Sequence, residues 1–327
     1  MKIAVIYPEF IGPYGGERHA VRMMNELSKN NDIHLYTPSI TNDWKNQLDS
    51  KVKLIESGRI KIPWHNIKTF MQLLWMRKVK LKDDYDFIFC FQWQSVHAGA
   101  RNKEHGKIVY FCNEQPLAHA FTLKKPLAKL LLYPGFKLAD NVFRNSLKHV
   151  SLAVSNSEWT QKALKDNYGI GSHVSYSIVD VKRFKRFDKK KCRKELGLGG
   201  DVYISVSKLH KRKQLDKVIK YYAKQKAKNK SLIIIGKGPE EKNLKKLVQD
   251  LGVDNVSFKG EVLGDLLVKY LRASDYFIFM GKDEPYGQAP LEAKVAGCKV
   301  VPKDHDKKIQ DVEEKCKDII RLLRQAK

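Results

Sequence analysis

The chain has 327 residues, enough for two domains that each bury a hydrophobic core. Hydrophobic residues make up 43% of it and aromatic residues 10%, a composition that excludes an intrinsically disordered protein. Lysine and arginine number 62 against 36 aspartates and glutamates, and the formal net charge of +26 predicts affinity for polyanions such as nucleic acid, an anionic membrane or a phosphorylated substrate.

The cysteines and the amino-terminal residues indicate the compartment. The cysteines are five in number, widely spaced and without a Cys-x-x-Cys pair, which predicts a reducing cytoplasm with neither a disulfide framework nor a zinc site. Residues 1–7 become polar too early for a signal peptide, and no apolar run approaches the roughly 20 residues that a membrane span needs. We therefore expect a cytoplasmic protein, either free or held at a membrane surface.

The first half begins with an apolar strand at residues 2–7, a loop rich in proline and glycine, and a helix that follows Gly15 and Gly16. In this arrangement, backbone amides and a helix start can face a phosphate, although two adjacent glycines also fit a plain tight turn. Further apolar strands are predicted at residues 33–36, 87–90, 108–112 and 151–156.

Two segments of the first half, 57–82 and 115–139, contain no acidic residue and combine basic with aromatic and aliphatic residues. In the first of them the apolar residues recur at helical spacing: Trp64, Ile67, Met71, Leu74 and Trp75. This pattern is typical of a helix that lies in a lipid interface, and equally of a core-facing helix whose solvent side is basic. Together, the two segments predict peripheral contact with an anionic membrane.

The second half repeats the alternation of strands and helices. Strands are predicted at residues 202–206, 231–236, 276–280 and 298–301, a strand with its following loop at 256–262, and a helix from about Gln214. Parallel strands with helical crossovers are the consequence, so each half predicts an α/β, Rossmann-like sheet.

The most informative stretch is 283–297, between two of these strands. Glu284 leaves the end of a strand, and Pro290 suits the first position of a helix that ends at Gly297, which places Glu292 in the first helical turn. These acids are also compatible with a loop carboxylate and a helix-dipole partner. The whole string, however, with two glutamates eight residues apart around Pro-Tyr-Gly and ahead of Leu-Glu-Ala, resembles the signature of glycosyltransferase family four, the retaining GT-B group.

The resemblance implies a site for a nucleotide diphosphate sugar. Lys208 and Lys213 match the family's Arg-x-x-x-x-Lys pair for the diphosphate, with lysine in place of arginine. Glu284 would hold sugar hydroxyls and Glu292 ribose hydroxyls. The other donor-binding candidates are Gly16, Gly236, Gly238, Val262, Gly287, Gln288 and Ala289.

One position departs from the family. Many members carry a histidine where this chain has Asn113, and His119 follows six residues later. His119 is therefore a catalytic candidate, although a lone histidine is more often a packing or surface residue.

The expected organisation is an acceptor-side domain at 1–178, a nucleotide-sugar-binding domain at 179–303 and a return helix at 304–327, with a cleft between the domains. A Val-Asp-x-x-x-Phe element at 179–184, similar to one of the family, marks the crossing. Family members usually continue well beyond the strand at 298–301, so we expect a shortened second domain.

The predicted function is retaining, metal-independent transfer of a hexose from GDP-mannose or a UDP-hexose to a glycan or lipid-linked acceptor at the cytosolic face of a membrane. No cofactor is expected. The alternatives are a GT-B-like epimerase, phosphorylase or inactive binding subunit. Nucleic-acid binding is suggested only by charge, without aromatic stacking residues or a recognition motif, and is not expected.

Overall fold

The structure is a computed structural model that describes residues 1–11, 15–58, 72–114, 117, 126–176, 178–281, 287–301 and 312–325, with the backbone alone at 126–132. The chain folds as two compact units. Unit 1 comprises Met1–Ile178 and Val312–Lys327, and unit 2 comprises Val179–Asp311.

Unit 1 contains a seven-stranded parallel sheet in the order β3-β2-β1-β4-β5-β6-β7. The order reverses between β1 and β4, which is the topological switch point of the sheet. The strands are β1 (Lys2–Ile6), β2 (Asp32–Thr37), β3 (Val52–Glu56), β4 (Phe87–Phe91), β5 (Lys107–Cys112), β6 (Val150–Ser155) and β7 (His173–Val174).

Helices cover both faces of this sheet, because its strands are apolar on both sides. In β4, for example, Phe87, Phe89 and Phe91 face one hydrophobic core, while Ile88 and Cys90 face the other. The helices of unit 1 that have defined bounds are α1 (Gly15–Leu27), α2 (Asn42–Lys45), α3 (Trp93–Arg101), α4 (Pro126–Leu147), α5 (Glu158–Tyr168) and, at the chain end, α12 (Val312–Gln325).

Helix α12 returns to unit 1 and packs beside α1, where Cys316, Ile319 and Leu323 join the core of that face. Its apolar stripe contains one cation, because Lys315 is fully buried. The Nζ of Lys315 donates to the carbonyl oxygens of Ser175 (2.5 Å) and Tyr176 (2.8 Å). Burial lowers the pKa of Lys315 to about 7, so this helix is held in part by an amine that titrates near neutrality.

Unit 2 contains a five-stranded parallel sheet in the order β10-β9-β8-β11-β12, with its switch point between β8 and β11. The strands are β8 (Asp201–Val206), β9 (Lys230–Ile235), β10 (Val256–Phe258), β11 (Tyr276–Ile278) and β12 (Lys299–Val301). The helices are α6 (Val181–Lys185), α7 (Lys189–Leu196), α8 (Leu215–Ala223), α9 (Glu241–Asp250), α10 (Gly264–Ala273) and α11 (Gln288–Ala296). The predicted α/β class with two Rossmann-like parallel sheets is confirmed.

Candidate functional site

The candidate donor site lies at the carboxyl edge of the unit 2 sheet. Strands β8 and β11 are neighbours there. After β8 the chain continues to β9 on one side of this pair, and after β11 it continues to β12 on the other side. In open α/β sheets, the crevice outside such a pair of strand ends is where ligands bind. The loop after β8 carries Lys208 and Lys213, and the connection after β11 leads to helix α11.

The loop after β8 folds back on itself, and its two predicted lysines, Lys208 and Lys213, repel each other electrostatically. The backbone N–H of His210 donates to the carbonyl oxygen of Lys208 (2.9 Å), and the N–H of Lys213 donates to the carbonyl oxygen of His210 (2.8 Å). Lys211–Lys213 form a short 3-10 turn. Burial, followed by repulsion from Arg212 and Lys208, lowers the pKa of Lys213 to about 8. The arrangement concentrates positive charge where a diphosphate would stabilise it.

The loop after β9, which contains Gly236 and Gly238, packs its backbone directly against the lysine loop. A Cβ at Gly236, whose φ is +136°, would lie 1.8 Å from the carbonyl oxygen of Ser207, and one at Gly238 would lie 2.3 Å from that of Leu209. The N–H of Leu209 donates to the carbonyl oxygen of Lys237 (3.0 Å), which joins the two loops. Glycine is required here because the backbones approach so closely. The predicted nucleotide contacts of Gly236 and Gly238 stay predictions.

Helix α11 corrects one detail of the sequence prediction. The helix begins at Gln288 with Gly287 as its N-cap, so Pro290 is the third helical residue and not the first. Glu292 is therefore in the second turn, where its side chain is buried. Proline is tolerated at the third position because the first four N–H groups of a helix have no intrahelical partner. The end of the helix is as predicted, with Gly297 in the left-handed conformation (φ +94°).

Two glutamines at the carboxyl edge have buried side-chain oxygens that accept no hydrogen bond from the described residues. They are Gln288, the first residue of α11, and Gln214, the N-cap of α8. Gln214 also has a left-handed backbone (φ +52°, ψ +41°), which costs free energy for a residue with a side chain. In the sequence, Gln214 is recognisable only as the start of a helix. Its position directly after Lys213 was the available signal.

The remaining predicted residues of unit 2 are placed as follows. Ala289 is the second residue of α11 and half-buried, and Val262 is buried in the loop after β10. Glu284 and, in unit 1, His119 lie outside the described residues. The two basic segments, 57–82 and 115–139, are described only in part.

Gly16 lies at the switch point of the unit 1 sheet, as the second residue of α1. A Cβ there would lie 3.0 Å from the hydroxyl of Tyr7, the residue that follows β1. That hydroxyl accepts a hydrogen bond from the Nε2 of Gln92 (3.0 Å), the residue that follows β4. Gln92 has a left-handed φ of +69°, a second strained glutamine at a sheet edge. Gly16 therefore sits beside polar groups where the fold binds ligands, and its contact with the diphosphate stays a prediction.

Within the part of the chain that the structure describes, no helix combines the length and the apolar character of a membrane span. The His, Cys, Asp and Glu side chains of those described residues form no group of three placed to hold a metal ion.

Comparison with known proteins identifies the family. Residues 13–183 match Glycosyltransferase Family 4, and residues 187–315 match Glycosyl transferases group 1. Among curated proteins, the chain is similar to mannosylfructose-phosphate synthase of Agrobacterium fabrum (strain C58 / ATCC 33970), with 23% identity over 295 residues. That match covers 79% of this chain and 64% of the relative, so the chain spans less than two thirds of the relative's length.

Solved structures share the fold. Sucrose-phosphate synthase from Thermosynechococcus elongatus has a TM-score of 0.72 at 16% identity, over 99% of this chain and 90% of its own. Anabaena HepE in complex with UDP has a TM-score of 0.69 at 18% identity, over 100% of this chain and 91% of its own. WaaG, a glycosyltransferase involved in lipopolysaccharide biosynthesis, has a TM-score of 0.71 at 16% identity, over 99% of this chain and 90% of its own. The chain therefore belongs to glycosyltransferase family 4, the glycosyl transferases group 1, and has the GT-B fold of that family.

Proposed function

We propose that the protein is a retaining hexosyltransferase that uses GDP-mannose or a UDP-hexose and needs no metal ion. The acceptor is a glycan or a lipid-linked sugar at a membrane surface. The observation that carries the proposal is Lys213, a half-buried lysine beside Lys208 and Arg212 at the switch point of the unit 2 sheet. Repulsion from its cationic neighbours lowers the pKa of Lys213, an added negative charge would oppose that shift, and the family's donors supply a diphosphate.

The two lysines provide the positive charge that the leaving diphosphate needs in the transfer step. The bond between the anomeric carbon and the β-phosphate oxygen breaks, and its electrons remain on the diphosphate. The acceptor hydroxyl oxygen bonds to the same face of the anomeric carbon, and its proton passes to the leaving phosphate. Preorganised positive charge stabilises the negative charge that develops, and Lys208 and Lys213 supply it together with the N–H groups at the start of α11.

Other groups at this edge fit the rest of a nucleotide sugar. The orphaned oxygens of Gln214 and Gln288 are acceptors, which suits hydroxyl or base N–H groups of a donor. Glu292 is the proposed ribose ligand and Glu284 the proposed sugar ligand. The HepE structures with UDP, with UDP and glucose, and with UDP-glucose favour a UDP-hexose as the first donor to test.

A surface on α4 supports the membrane part of the proposal. Tyr133 and Leu138 expose 51% and 54% of their surface, and Lys137 is exposed between them. Exposed aromatic and aliphatic side chains next to a cation are typical of a surface that contacts anionic lipid.

The donor assignment is tested by binding. UDP, GDP, UDP-glucose and GDP-mannose are screened for an increase in melting temperature, and the best donor is then assayed for nucleoside diphosphate release. We expect Lys213→Ala to lower transfer by about 100-fold, the size of a lost charge-stabilising group. The matched control is Lys211→Ala, an exposed lysine of the same turn, which should retain activity. Near-normal turnover in Lys213→Ala contradicts the proposal.

The stereochemistry and the membrane contact need separate measurements. NMR of the product distinguishes retention from inversion at the anomeric carbon, and an inverted product contradicts the retaining mechanism. Co-sedimentation with vesicles of anionic and of neutral lipid tests the surface contact, and equal recovery with the two lipids contradicts it.

A further inference from the structure

Helices α6 and α7 of unit 2 carry a dense group of exposed cations. The stretch 180–196, which contains both helices, has nine lysines and arginines against three acidic residues. Six of these cations have exposed side chains that form no hydrogen bond or ion pair with any described residue: Lys182, Lys185, Arg186, Lys190, Lys191 and Lys194. These six residues, the α6–α7 cations, are available to a ligand of opposite charge.

The acidic residues of the same stretch are already engaged. Asp180 and Asp188 are the N-caps of α6 and α7, and each accepts a hydrogen bond from a backbone N–H of its own helix. Glu195 accepts from the Nζ of Lys269 in α10 (2.6 Å). None of these three carboxylates forms an ion pair with an α6–α7 cation. The positive charge of the surface is therefore not neutralised by ion pairs with its own acids.

Helix α7 uses only part of its charge to hold itself in place. Lys189 and Arg193 both donate to the carboxylate of Asp275, the residue before β11, and thereby fix the inner face of the helix. The remaining cations of the helix lie on its exposed face: Lys190, Lys191 and Lys194. At about 100° per residue, the two sets point in nearly opposite directions. The fold therefore uses the inner pair, whereas the outer three face solvent.

Two exposed leucines adjoin this charge. Leu263 is the N-cap of α10 and Leu266 is in its first turn, and they expose 53% and 47% of their surface. Asp265, between them, accepts two hydrogen bonds from the guanidinium of Arg183 in α6, from Nε (2.9 Å) and from Nη2 (2.8 Å). This bidentate pair holds the start of α10 against α6. The exposed leucines therefore lie next to the helix that carries the first of the α6–α7 cations.

The apolar part of the surface indicates which polyanion it suits. An aliphatic side chain gains free energy when it leaves water for the interface of a lipid bilayer, whereas proteins that bind single-stranded nucleic acid stack its bases on aromatic rings. The described aromatic residues of α6, of α10 and of the loop after α6 are buried or half-buried: Phe184, Phe187 and Tyr270. Lysines beside exposed leucines, with no exposed aromatic ring among the described residues of these helices, favour an anionic lipid surface.

We propose that α6, α7 and the start of α10 form a lipid-contacting surface on unit 2. The α6–α7 cations bind anionic headgroups there, and Leu263 and Leu266 enter the interface. This inference rests on the membrane contact of the proposed function and extends it from α4 of unit 1 to a second surface, and it is independent of the donor assignment. Because the contact is mainly electrostatic, it weakens as the salt concentration rises.

Co-sedimentation tests the cations. The probes are vesicles of phosphatidylcholine alone and vesicles of phosphatidylcholine mixed with phosphatidylglycerol. The triple variant Lys190→Gln, Lys191→Gln, Lys194→Gln keeps the contacts of α7 with Asp275 and removes three exposed charges. We expect its partition into the mixed vesicles to fall by about 100-fold, since each cation near an anionic surface contributes about 5-fold.

The matched control removes the same charge from a different helix of unit 2. Lys217, Lys220 and Lys224 are exposed lysines of α8 and its C-cap, and the corresponding triple glutamine variant should keep the wild-type partition. An equal loss in the two triple variants means that net charge alone attracts the protein to lipid, and the inference is then wrong.

The leucines are tested separately. Leu263→Ser with Leu266→Ser should lower the partition by about 10-fold or more, because each leucine has about half of its surface to bury. Leu251→Ser, which changes an exposed leucine at the end of α9, should have no effect. A loss of poly(U) binding in the lysine variant with unchanged vesicle binding would assign the surface to nucleic acid and overturn the inference.

Failure of this inference is distinguishable from failure of the proposed function. If the wild type prefers the mixed vesicles and the lysine variant prefers them equally, this inference alone is wrong, and the α4 surface accounts for the contact. Equal recovery of the wild type with the two kinds of vesicle contradicts the membrane contact and this inference together. The rise in melting temperature with UDP or GDP tests the donor site independently of both.

Discussion

The sharpest consequence of the lysine loop is that donor binding takes up a proton. Burial, and then repulsion from Arg212 and Lys208, lowers the pKa of Lys213 to about 8, so in the free protein part of the Lys213 population is neutral at physiological pH. A diphosphate beside Lys213 favours the ammonium form and raises its pKa again. The affinity for UDP therefore falls as the pH rises through the pKa of the free protein.

The size of the effect follows from the pKa. Lys213 is about 90% protonated at pH 7 and about 10% at pH 9, and the Kd for UDP therefore rises about 10-fold between these values if the bound form stays protonated. Proton uptake grows over the same range, from about 0.1 to about 0.9 proton per UDP. In Lys213→Met the affinity at pH 7 falls by about 10-fold or more, and the slope is lost because the titrating group is absent.

Isothermal titration calorimetry measures both quantities, with UDP titrated in two buffers of different ionisation enthalpy at pH 7, 8 and 9. Titration of UDP itself is common to all variants and cancels in the comparison. Lys211→Met is the control, since this exposed lysine shares the turn and should keep the wild-type slope. Equal pH slopes in Lys213→Met and Lys211→Met would refute the reasoning.

Three further predictions concern stability and membrane contact. Gly236→Ala lowers stability by about 1–3 kcal/mol, because a Cβ would collide with a backbone carbonyl at a φ of +136°, whereas Gly171→Ala meets no atom within 4 Å and should keep the melting temperature. Folding lowers the pKa of Lys315 from 10.5 to about 7, so between these values the unfolded chain binds more protons and stability rises with pH. From pH 7 to 9 denaturant unfolding should show a gain of about 2 kcal/mol in the wild type relative to Lys315→Met. The double variant Tyr133→Ser with Leu138→Ser should lose binding to anionic vesicles and keep activity toward a soluble acceptor, and unchanged sedimentation would contradict the lipid surface.

The sequence predicts most of the strands, because continuous apolar runs such as Phe87–Phe91 are readable in one dimension. It does not predict β3 and β7, which lack such a run. It also places Lys208 and Lys213 in one loop after β8. The first residue of α11 is harder to predict, since proline fits any position of the first turn. The extended backbone of Gly287 sets where the helix begins. The burial of Lys315 could not be predicted from the sequence at all. A lysine within a helical stripe indicates a solvent-facing position, and only the carbonyl oxygens of Ser175 and Tyr176 explain its burial.

The two sheet edges carry opposite kinds of charge, and the basic edge of unit 2 is the one that suits a diphosphate. The edge of unit 2 gathers Lys208, Arg212 and Lys213 where a chain of net charge +26 already repels itself. The edge of unit 1 gathers Glu17 and Glu114 although acids are the minority. At the edge of unit 2, repulsion from Arg212 and Lys208 contributes to the lowered pKa of Lys213, and an added negative charge would oppose that shift. A diphosphate supplies such a charge, which is the property that the proposed function requires of the donor.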